Sequence, residues 1–353
     1  MCDILKAICL RPYVYFQSFY TKYLQYFCRK YRRFVLLLVL VIAFCLCYLC
    51  LLYRLKLYYT AALLFNHNRC DIHTNHWKSR EPNRLWAQGM GRLGNIMFIM
   101  ASNYGLAYKH QRELVIAPGL HYQLARTFTP ISNPAKVCNV PQNKTTGRVS
   151  FGKYRDYSRS FYPKNKDVEV CCYLQSWKYF SGLEKEIRTI FTFHQSLLDN
   201  AQSFLQRVKT SADEIYIGVH VRRGDIAEKK GYNTASVSYI QNAMRYYTTK
   251  YSNIHFIVCS DDLGWCKRQE LFTSAQGYTV SFCPRWHSES HDLALLSSLN
   301  HSVITVGTFG WWAAWLAGGD VVYYPTPYNN NAHMFKNFNA EDFFPPHWIP
   351  ISD

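Results

Sequence analysis

The chain has 353 residues, with 40 Lys and Arg against 23 Asp and Glu, and a formal net charge of +17 at pH 7. Hydrophobic residues make up 49% of the chain and aromatic residues 17%, which excludes a disordered tail, a collagen-like fibre and a small disulfide-stabilised domain. The length is sufficient for one large domain or two of medium size. The positive charge alone is compatible with nucleic acid, an acidic membrane surface or a phosphate-bearing substrate.

Nineteen consecutive uncharged residues, 34–52, stand near the start of the chain. A helix of that length spans the hydrocarbon core of a bilayer, about 30 Å thick. Because 33 residues precede the run and no small-residue cleavage site follows it, a signal anchor is favoured over a cleaved signal peptide. A buried core helix, the other alternative, normally carries polar residues on one side. We therefore predict one transmembrane helix over residues 34–53.

Basic residues are concentrated before this predicted helix. Residues 1–33 contain seven Lys and Arg. Four of them lie at the predicted membrane edge: Arg29, Lys30, Arg32 and Arg33. Because positive flanks stay on the cytosolic side, residues 1–33 are predicted to be a cytosolic tail and the bulk of the chain to be lumenal. Residues 54–83 are polar and lack a hydrophobic period, which predicts a stem. A lumenal location argues against nucleic acid as a partner.

The cysteines and glycosylation sequons beyond the anchor fit an oxidising compartment. Seven cysteines lie there: Cys70, Cys138, Cys171, Cys172, Cys259, Cys266 and Cys283. An odd number leaves one thiol free or paired between chains. Cys259 and Cys266 are one possible pair, although spacing does not assign partners. Two sequons predict glycosylation at Asn143 and Asn300. No CxxC or HExxH motif occurs, so no zinc site is predicted.

From Leu85 onward, short apolar runs alternate with amphipathic segments. In the last third of the chain, strands are predicted at 214–221, 254–259, 278–282, 302–306 and 321–324. In the same part of the chain, helices are predicted at 237–247, 263–272, 291–299 and 310–317. A further helix is predicted earlier, at 96–109. Strands that alternate with helices imply crossover connections and a parallel sheet. Ligands of such sheets bind beyond the carboxyl ends of the strands, so the loops at those ends are the candidate sites.

The first such loop carries a G-x-G-x-x-G pattern formed by Gly89, Gly91 and Gly94. This pattern before a helix is typical of a dinucleotide-binding turn, although three glycines can also serve only to connect a strand to a helix. The acid expected to bind a ribose is Glu113, but it precedes the next apolar run instead of following it, which weakens the NAD hypothesis. Arg92 and Asn95 add a guanidinium and an amide to the same loop.

A polar cluster ends the predicted strand 214–221. It consists of His220, Arg222, Arg223 and Asp225. Two adjacent guanidiniums suit a pyrophosphate, because each can donate two parallel hydrogen bonds. Neighbouring strand residues point to opposite faces, so at most one arginine is expected to touch the ligand while the other pairs with an acid such as Asp225. A structural Arg–Asp network at a turn is the alternative.

Two adjacent carboxylates, Asp261 and Asp262, follow the next predicted strand. They are able to accept hydrogen bonds from a base or a sugar, or to bind a divalent metal. The alternative for one of them is capping of the following helix, for which Ser260 and Asp261 are well placed.

The sequence GTFG at 307–310 lies between a predicted strand and a predicted helix, where backbone amides can hold an anion. The tryptophans that follow, Trp311, Trp312 and Trp315, either stack on a base or belong to the core. Their helical spacing favours the core for at least Trp315.

These four loops together resemble the galactoside α-1,2-fucosyltransferases of glycosyltransferase family 11. The matching blocks are GMGRLGNIMF at 89–98, GVHVRRGD at 218–225, FIVCSDDLGWCK at 256–267 and HDLALLSSLNHSVITVGTFGWWAAWLAGGDVVYYP at 291–325. The resemblance covers residues 85–328. It departs at Ile96, where family members commonly have Gln, and residues 118–169 contain no matching motif.

The resemblance implies a Golgi type II membrane enzyme of the α/β class. Its fold would be a GT-B-like pair of Rossmann-type halves behind the single transmembrane helix, with 84–210 on the acceptor side and 211–353 binding GDP-fucose. It implies transfer of L-fucose from GDP-L-fucose, with inversion, to the 2-hydroxyl of a terminal β-galactose. It implies no required cofactor or metal.

Carried over by position, the resemblance assigns Arg222 to the donor pyrophosphate, with Arg223 and Asp225 supporting it. His220 and Asp225 are the other catalytic candidates, with bracing of the arginines as the alternative. The residues it places at the donor are Gly91, Arg92, Asn95, Arg223, Asp261, Asp262, Thr308 and Phe309. Three alternatives stay open: a fucosyltransferase with another acceptor, a non-catalytic glycan-binding protein, and an NAD(P)-dependent oxidoreductase prompted by the glycine pattern. Residue types alone do not identify the general base.

Overall fold

A computed structural model describes most of the chain beyond residue 82. The described residues are 41–44, 46, 48–49, 83–129, 135–139, 145–148, 153–156, 166–227, 231–273, 278–330 and 333–353. The chain divides into two compact units, Met1–Arg69 and Cys70–Asp353.

In the first unit, the described residues are helical and exposed. No helix within the described residues has the length and hydropathy needed to cross a membrane. The predicted tail 1–33, most of the predicted anchor 34–53 and nearly all of the predicted stem 54–83 lie outside the described residues.

The second unit contains two parallel sheets, in agreement with the predicted α/β class. The first sheet has the order β3-β2-β1-β5-β4. Its strands are β1 (Arg84–Ala87), β2 (Glu113–Ile116), β3 (Lys136–Val137), β4 (Thr145–Arg148) and β5 (Val168–Cys171). The second sheet has the order β11-β10-β9-β6-β7-β8. Its strands are β6 (Ile215–Val221), β7 (Ile254–Ser260), β8 (Thr279–Phe282), β9 (His301–Ile304), β10 (Val321–Tyr323) and β11 (Ile349–Pro350).

Helices connect these strands. They are α1 (Leu93–Lys109), α2 (Pro118–Ala125), α3 (Glu184–Ile190), α4 (Gln195–Val208), α5 (Val237–Lys250), α6 (Leu263–Lys267), α7 (Glu289–Ser297), α8 (Thr308–Ala317), α9 (His333–Lys336) and α10 (Ala340–Phe343). The predicted helix 263–272 is shorter than expected, since α6 ends at Lys267 and a separate 3-10 turn covers Glu270–Phe272. The predicted helix at 291 instead begins at Glu289, because Ser288 forms a capping box with His291.

Helices cover both faces of the second sheet. Ile217 and Val219 of β6 are buried in one hydrophobic cluster with Tyr239 of α5. On the opposite face, a Cβ at Gly218 would contact Leu296 and Leu299, which belong to α7 and its C-terminal end. Central parallel strands covered in this way read as continuous apolar runs, which is why the sequence identified them.

A single aromatic cluster joins α1 to α8. The ring of Phe98 lies 4.6 Å from that of Trp311 and 5.0 Å from that of Trp312. Trp312 also stacks on Phe180 at 5.6 Å. Both tryptophans are fully buried, and the indole nitrogen of Trp311 donates to the Phe343 carbonyl at 2.8 Å. The alternative that these rings stack on a nucleotide base is therefore wrong, and the core assignment, including that of Trp315, is confirmed.

The disulfide in the structure differs from the pairing that the sequence suggested. Cys259, in β7, forms a disulfide with Cys283, directly after β8. The register explains this pairing, because β7 and β8 are parallel and Val258 lies opposite Phe282. The possible pairing of Cys259 with Cys266 is therefore wrong. Cys266 is a buried free thiol, and burial raises its pKa to about 11.

Candidate active site

Three loops of the second sheet meet at one edge. β6 lies between β7 and β9, and all three strands run in parallel, with His220, Cys259 and Ile304 at the same level. The residues that follow each strand therefore emerge side by side. They include Arg222 after β6, Asp261 after β7 and Thr308 at the start of α8.

The Arg222 guanidinium is held between two carboxylates. One terminal nitrogen donates to Asp225 and the other donates to Asp261. The Arg222 backbone N–H donates to the Thr305 hydroxyl at 2.8 Å, and 12% of the Arg222 side chain is exposed. Charge-assisted hydrogen bonds on both sides fix the orientation of the guanidinium while leaving part of it accessible.

The sequence predicted that one arginine binds the ligand while the other pairs with Asp225, and the structure does not divide the two roles in this way. The arginine that pairs with Asp225 is Arg222, the one assigned to the ligand. The Arg223 guanidinium instead lies 4.0 Å from the ring centroid of Trp265, and its backbone N–H donates to Asp261 at 2.9 Å. Arg223 therefore packs on an aromatic face, a cation–π contact, and contributes its main chain to the position of Asp261.

The two adjacent aspartates have separate roles. Asp261 binds Arg222, whereas the carboxylate of Asp262 accepts from the Trp265 backbone N–H at 2.8 Å and caps α6. The capping alternative is thus confirmed, but at Asp262 and not at Ser260 or Asp261. The Ser260 hydroxyl accepts from the Asp262 N–H at 2.9 Å. Both carboxylates are engaged in protein hydrogen bonds.

The glycine-rich loop brings the N-termini of α1 and α8 together. A Cβ at Gly94 would lie 2.7 Å from the Phe309 nitrogen and from the Thr308 carbonyl carbon, so the backbones approach as closely as glycine allows. The Asn95 side-chain oxygen accepts from the Thr308 hydroxyl at 2.8 Å and from the Gln175 amide at 3.0 Å. Asn95 therefore connects α1 to the start of α8 and to the segment that contains Gln175.

Gly91 and Arg92 form the outer part of the same loop. Gly91 has φ +85°, a conformation that favours glycine, and a Cβ there would collide with the Asn95 amide nitrogen. Arg92 is 67% exposed, and its guanidinium lies 3.4 Å from Asp225. The loop after β1 and the loop after β6 thus converge on Asp225.

An anion at this edge would meet two positive elements. The N-cap of α8, Gly307, provides no side-chain acceptor for the first amides of the helix. A Cβ at Gly307 would lie 4.0 Å from the Arg222 side chain. A helix N-terminus next to a fixed guanidinium favours a phosphate or diphosphate.

His220 lies beneath this edge and not in it. Its side chain is buried, its ring lies 5.1 Å from that of Phe309, and a Cβ at Gly310 would lie 2.6 Å from its Nδ1. Burial lowers the pKa of His220 to about 4, so the imidazole is neutral at pH 7. In this structure His220 packs against α8, and its predicted catalytic role stays a prediction.

This burial predicts a pH dependence of stability. The unfolded pKa, about 6.5, exceeds the folded value, so between the two the unfolded state binds more protons and the free energy of unfolding falls as pH falls. In the wild type, His220 accounts for about 2 kcal/mol of the decrease in the free energy of unfolding between pH 7 and pH 5, and we expect His220→Gln to remove that part of the decrease. Urea denaturation at both pH values measures it. Part of the slope persists, because burial also lowers the pKa values of His255, His291 and His301. An unchanged slope in the variant would contradict the prediction.

The chain matches the family model described as Glycosyl transferase family 11 over residues 59–352. The chain belongs to this family. That membership, together with the geometry at the end of β6, confirms the resemblance that the four sequence blocks indicated.

Named relatives agree with this assignment. The family 11 chain is 34% identical to the galactoside 2-α-L-fucosyltransferase SEC1 of Bos taurus, over 74% of this chain and 72% of that protein. It is also 34% identical to galactoside α-(1,2)-fucosyltransferase 2 of Bos taurus, over 76% of this chain and 79% of that protein. Among solved structures, it is similar to the fucosyltransferase NodZ from Bradyrhizobium, with a TM-score of 0.44, 15% identity, and coverage of 66% of this chain and 92% of that one.

The dinucleotide hypothesis fails on the position of its acid. Glu113 opens β2, where it lies opposite Arg84, the first residue of β1. The glycine loop follows the other end of β1, so the family 11 chain places Glu113 at the edge of the sheet away from Gly94. Glu113 pairs with Lys136 at 2.5 Å instead.

Several contributors to the site had no sequence signal that pointed to them. Gln175 supports Asn95 from a segment without a matching block, and only the tertiary contact reveals it. Thr305 and Trp265 lie within the matching blocks, but they became recognisable only as the partners of Arg222 and Arg223.

The two predicted glycosylation sites differ in what the structure describes. Asn143 lies outside the described residues. Asn300 is exposed, and its side-chain oxygen accepts from the Tyr216 backbone N–H at 2.9 Å. Glycosylation of either residue stays a prediction.

Proposed function

We propose that this family 11 chain is a galactoside 2-α-L-fucosyltransferase, which transfers L-fucose from GDP-L-fucose to the 2-hydroxyl of a terminal β-galactose with inversion. The observation that carries the proposal is the Arg222 guanidinium, fixed by Asp225 and Asp261 beside the N-terminus of α8. The names of the relatives support the donor-to-galactoside chemistry.

In this proposal the donor diphosphate binds where the two positive elements meet. Arg222 donates to the phosphate oxygens through the accessible part of its guanidinium, and the first amides of α8 add the positive end of the helix dipole. Arg92, exposed and 3.4 Å from Asp225, is placed to turn from that carboxylate towards the diphosphate.

The same contacts assist the reaction. Breaking the bond between fucose and GDP leaves oxocarbenium character on the sugar and builds negative charge on the departing diphosphate. A guanidinium that is already oriented stabilises this charge more in the transition state than in the ground state. Inversion follows because the acceptor hydroxyl attacks the face of the sugar opposite to the leaving diphosphate. The bond from fucose to the acceptor oxygen forms as the bond to the diphosphate breaks, GDP leaves with that electron pair, and the hydroxyl proton passes to a general base.

We propose further that the protein is a Golgi type II membrane protein. The support is in the sequence, which carries nineteen uncharged residues at 34–52 behind a basic segment. In this topology the residues from 54 onward, including the site, face the lumen, where a glycan acceptor would be met.

The proposal predicts product formation without a metal. We expect the full-length chain to convert GDP-fucose and a β-galactoside to an α-1,2-linked fucoside at the same rate with and without EDTA, because Arg222 and α8 supply the charge that a cation would otherwise provide. The linkage is read by NMR, and boiled protein is the control. Binding of GDP-fucose without transfer to any galactoside would contradict the acceptor, whereas a rate abolished by EDTA and restored by Mg²⁺ or Mn²⁺ would contradict the metal-free chemistry.

A further inference from the structure

A pocket of about 410 Å³ lies beyond the carboxyl end of β10. This volume is within the range typical of ligand sites. The residues that line it include Lys153, Thr326, Tyr328, Phe335, Phe338 and Asn339. The donor site described above uses none of them.

The strand register places this pocket beside the donor site. β9 separates β10 from β6, and Tyr323 of β10 lies level with Ile304, which lies level with His220. Pro325 and Arg222 each follow two residues later. Two strand spacings make about 10 Å, so the lining segment that begins at Pro325 starts about that far from the main chain of Arg222.

The chemistry of the lining fits a neutral sugar. Three aromatic rings contribute to it, and Phe335 is 43% exposed. Among the described residues that line the pocket none is acidic, and the polar side chains are Lys153, Thr326, Tyr328 and Asn339. The Asn339 side-chain oxygen already accepts from the Glu341 backbone N–H at 2.9 Å, so its amide nitrogen is the group left for a ligand. A guanine base presents N–H donors that call for an acceptor such as a carboxylate, whereas a galactose presents one apolar face to an aromatic ring and hydroxyls to amide and ammonium groups.

The walls of the pocket are held by hydrogen bonds and ring contacts. The Asn233 amide donates to the carbonyls of Thr326 and Tyr328, at 2.9 and 3.1 Å. The rings of Tyr328 and Phe338 lie 5.1 Å apart. Next to Lys153, the Tyr154 backbone N–H donates to the buried Asp342 at 2.8 Å, which ties this segment to α10. A cavity built in this way is pre-organised for a ligand.

We propose that this pocket binds the terminal β-galactose of the acceptor, with Phe335 stacked on the sugar and Lys153 and Asn339 facing its hydroxyls. This inference rests on the proposed function and specifies where the acceptor lies. It assigns acceptor recognition to both halves of the chain, because Lys153 lies in 84–210 and Phe335 in 211–353. Neither residue lies in a block that matches the family.

The test compares two variants of the full-length chain. We expect Phe335→Ala to raise the KM for a methyl β-galactoside or lactose about tenfold while the KM for GDP-fucose changes less than about twofold. Tyr108→Ala is the matched control, because Tyr108 is a 67% exposed aromatic near the far end of α1, and it should change neither constant. Because Phe335 is 43% exposed, we expect the variant to fold as the wild type does, and equal urea midpoints would establish it.

Each other outcome would overturn the inference. A raised KM for GDP-fucose with an unchanged acceptor KM would place the donor in the pocket, and unchanged values for both would leave the pocket without a role. If the wild-type chain transfers no fucose at all, the proposed function fails separately. Broadening of methyl β-galactoside NMR signals by wild-type protein then decides the inference: its loss in Phe335→Ala supports the pocket, and its persistence or absence in both contradicts it.

Discussion

Arg222→Ala is expected to reduce kcat for fucosyl transfer at least about 100-fold. Losing one oriented, charge-assisted contact to the leaving group costs about 3 kcal/mol in the transition state. The substitution also leaves Asp225 and Asp261 facing the diphosphate without their shared cation, which adds repulsion and weakens donor binding. Steady-state kinetics with varied GDP-fucose separates the two effects.

Two further variants serve as controls for Arg222→Ala. Arg222→Lys keeps the charge but cannot bridge both carboxylates, so it should recover only part of the rate. Arg245→Ala removes an exposed arginine of α5 that donates to Asn242, and it should leave transfer unchanged. A fully active Arg222→Ala enzyme would refute the assignment of the donor site.

Gly94→Ala is expected to disrupt the contact between α1 and α8. The added Cβ would lie 2.7 Å from main-chain atoms of Thr308 and Phe309, and main chain cannot move aside as a flexible side chain can. Overpacking of this kind costs about 1–3 kcal/mol of stability. Because the displaced atoms are the first turn of α8, we expect a loss of transfer beyond the loss of stability. Urea denaturation and kinetics on the same sample measure both.

Gly119→Ala is a closely matched control. Gly119 is the second residue of α2, as Gly94 is of α1, but no atom lies within 4 Å of a Cβ at that position. There the substitution should be neutral or stabilising by up to about 1 kcal/mol, since alanine lowers the entropy of the unfolded chain. Equal stability and activity in the two alanine variants would show that the close approach has no functional role.

Most of the second sheet was predictable from local pattern. Strands β6, β7 and β9 are central and covered on both sides, so they appear as unbroken apolar runs such as IYIGVHV and IHFIVC. Much of the first sheet was not. β3 has two residues, and β4 reads TTGR, so neither carries a hydrophobic period that could distinguish it from a loop.

The sequence by itself determined the parallel α/β class, the glycine loop, the arginine cluster and the family, because those signals lie within short stretches of chain. Only the tertiary structure decided what each residue does. Arg222 and Asp261 are 39 residues apart and Asn95 and Thr308 are 213 apart, yet both pairs are hydrogen-bonded. Burial of His220 and the Cys259–Cys283 bond follow the same rule. A residue's role depends on its partners in space, and folding brings together partners whose distance along the chain leaves no local trace.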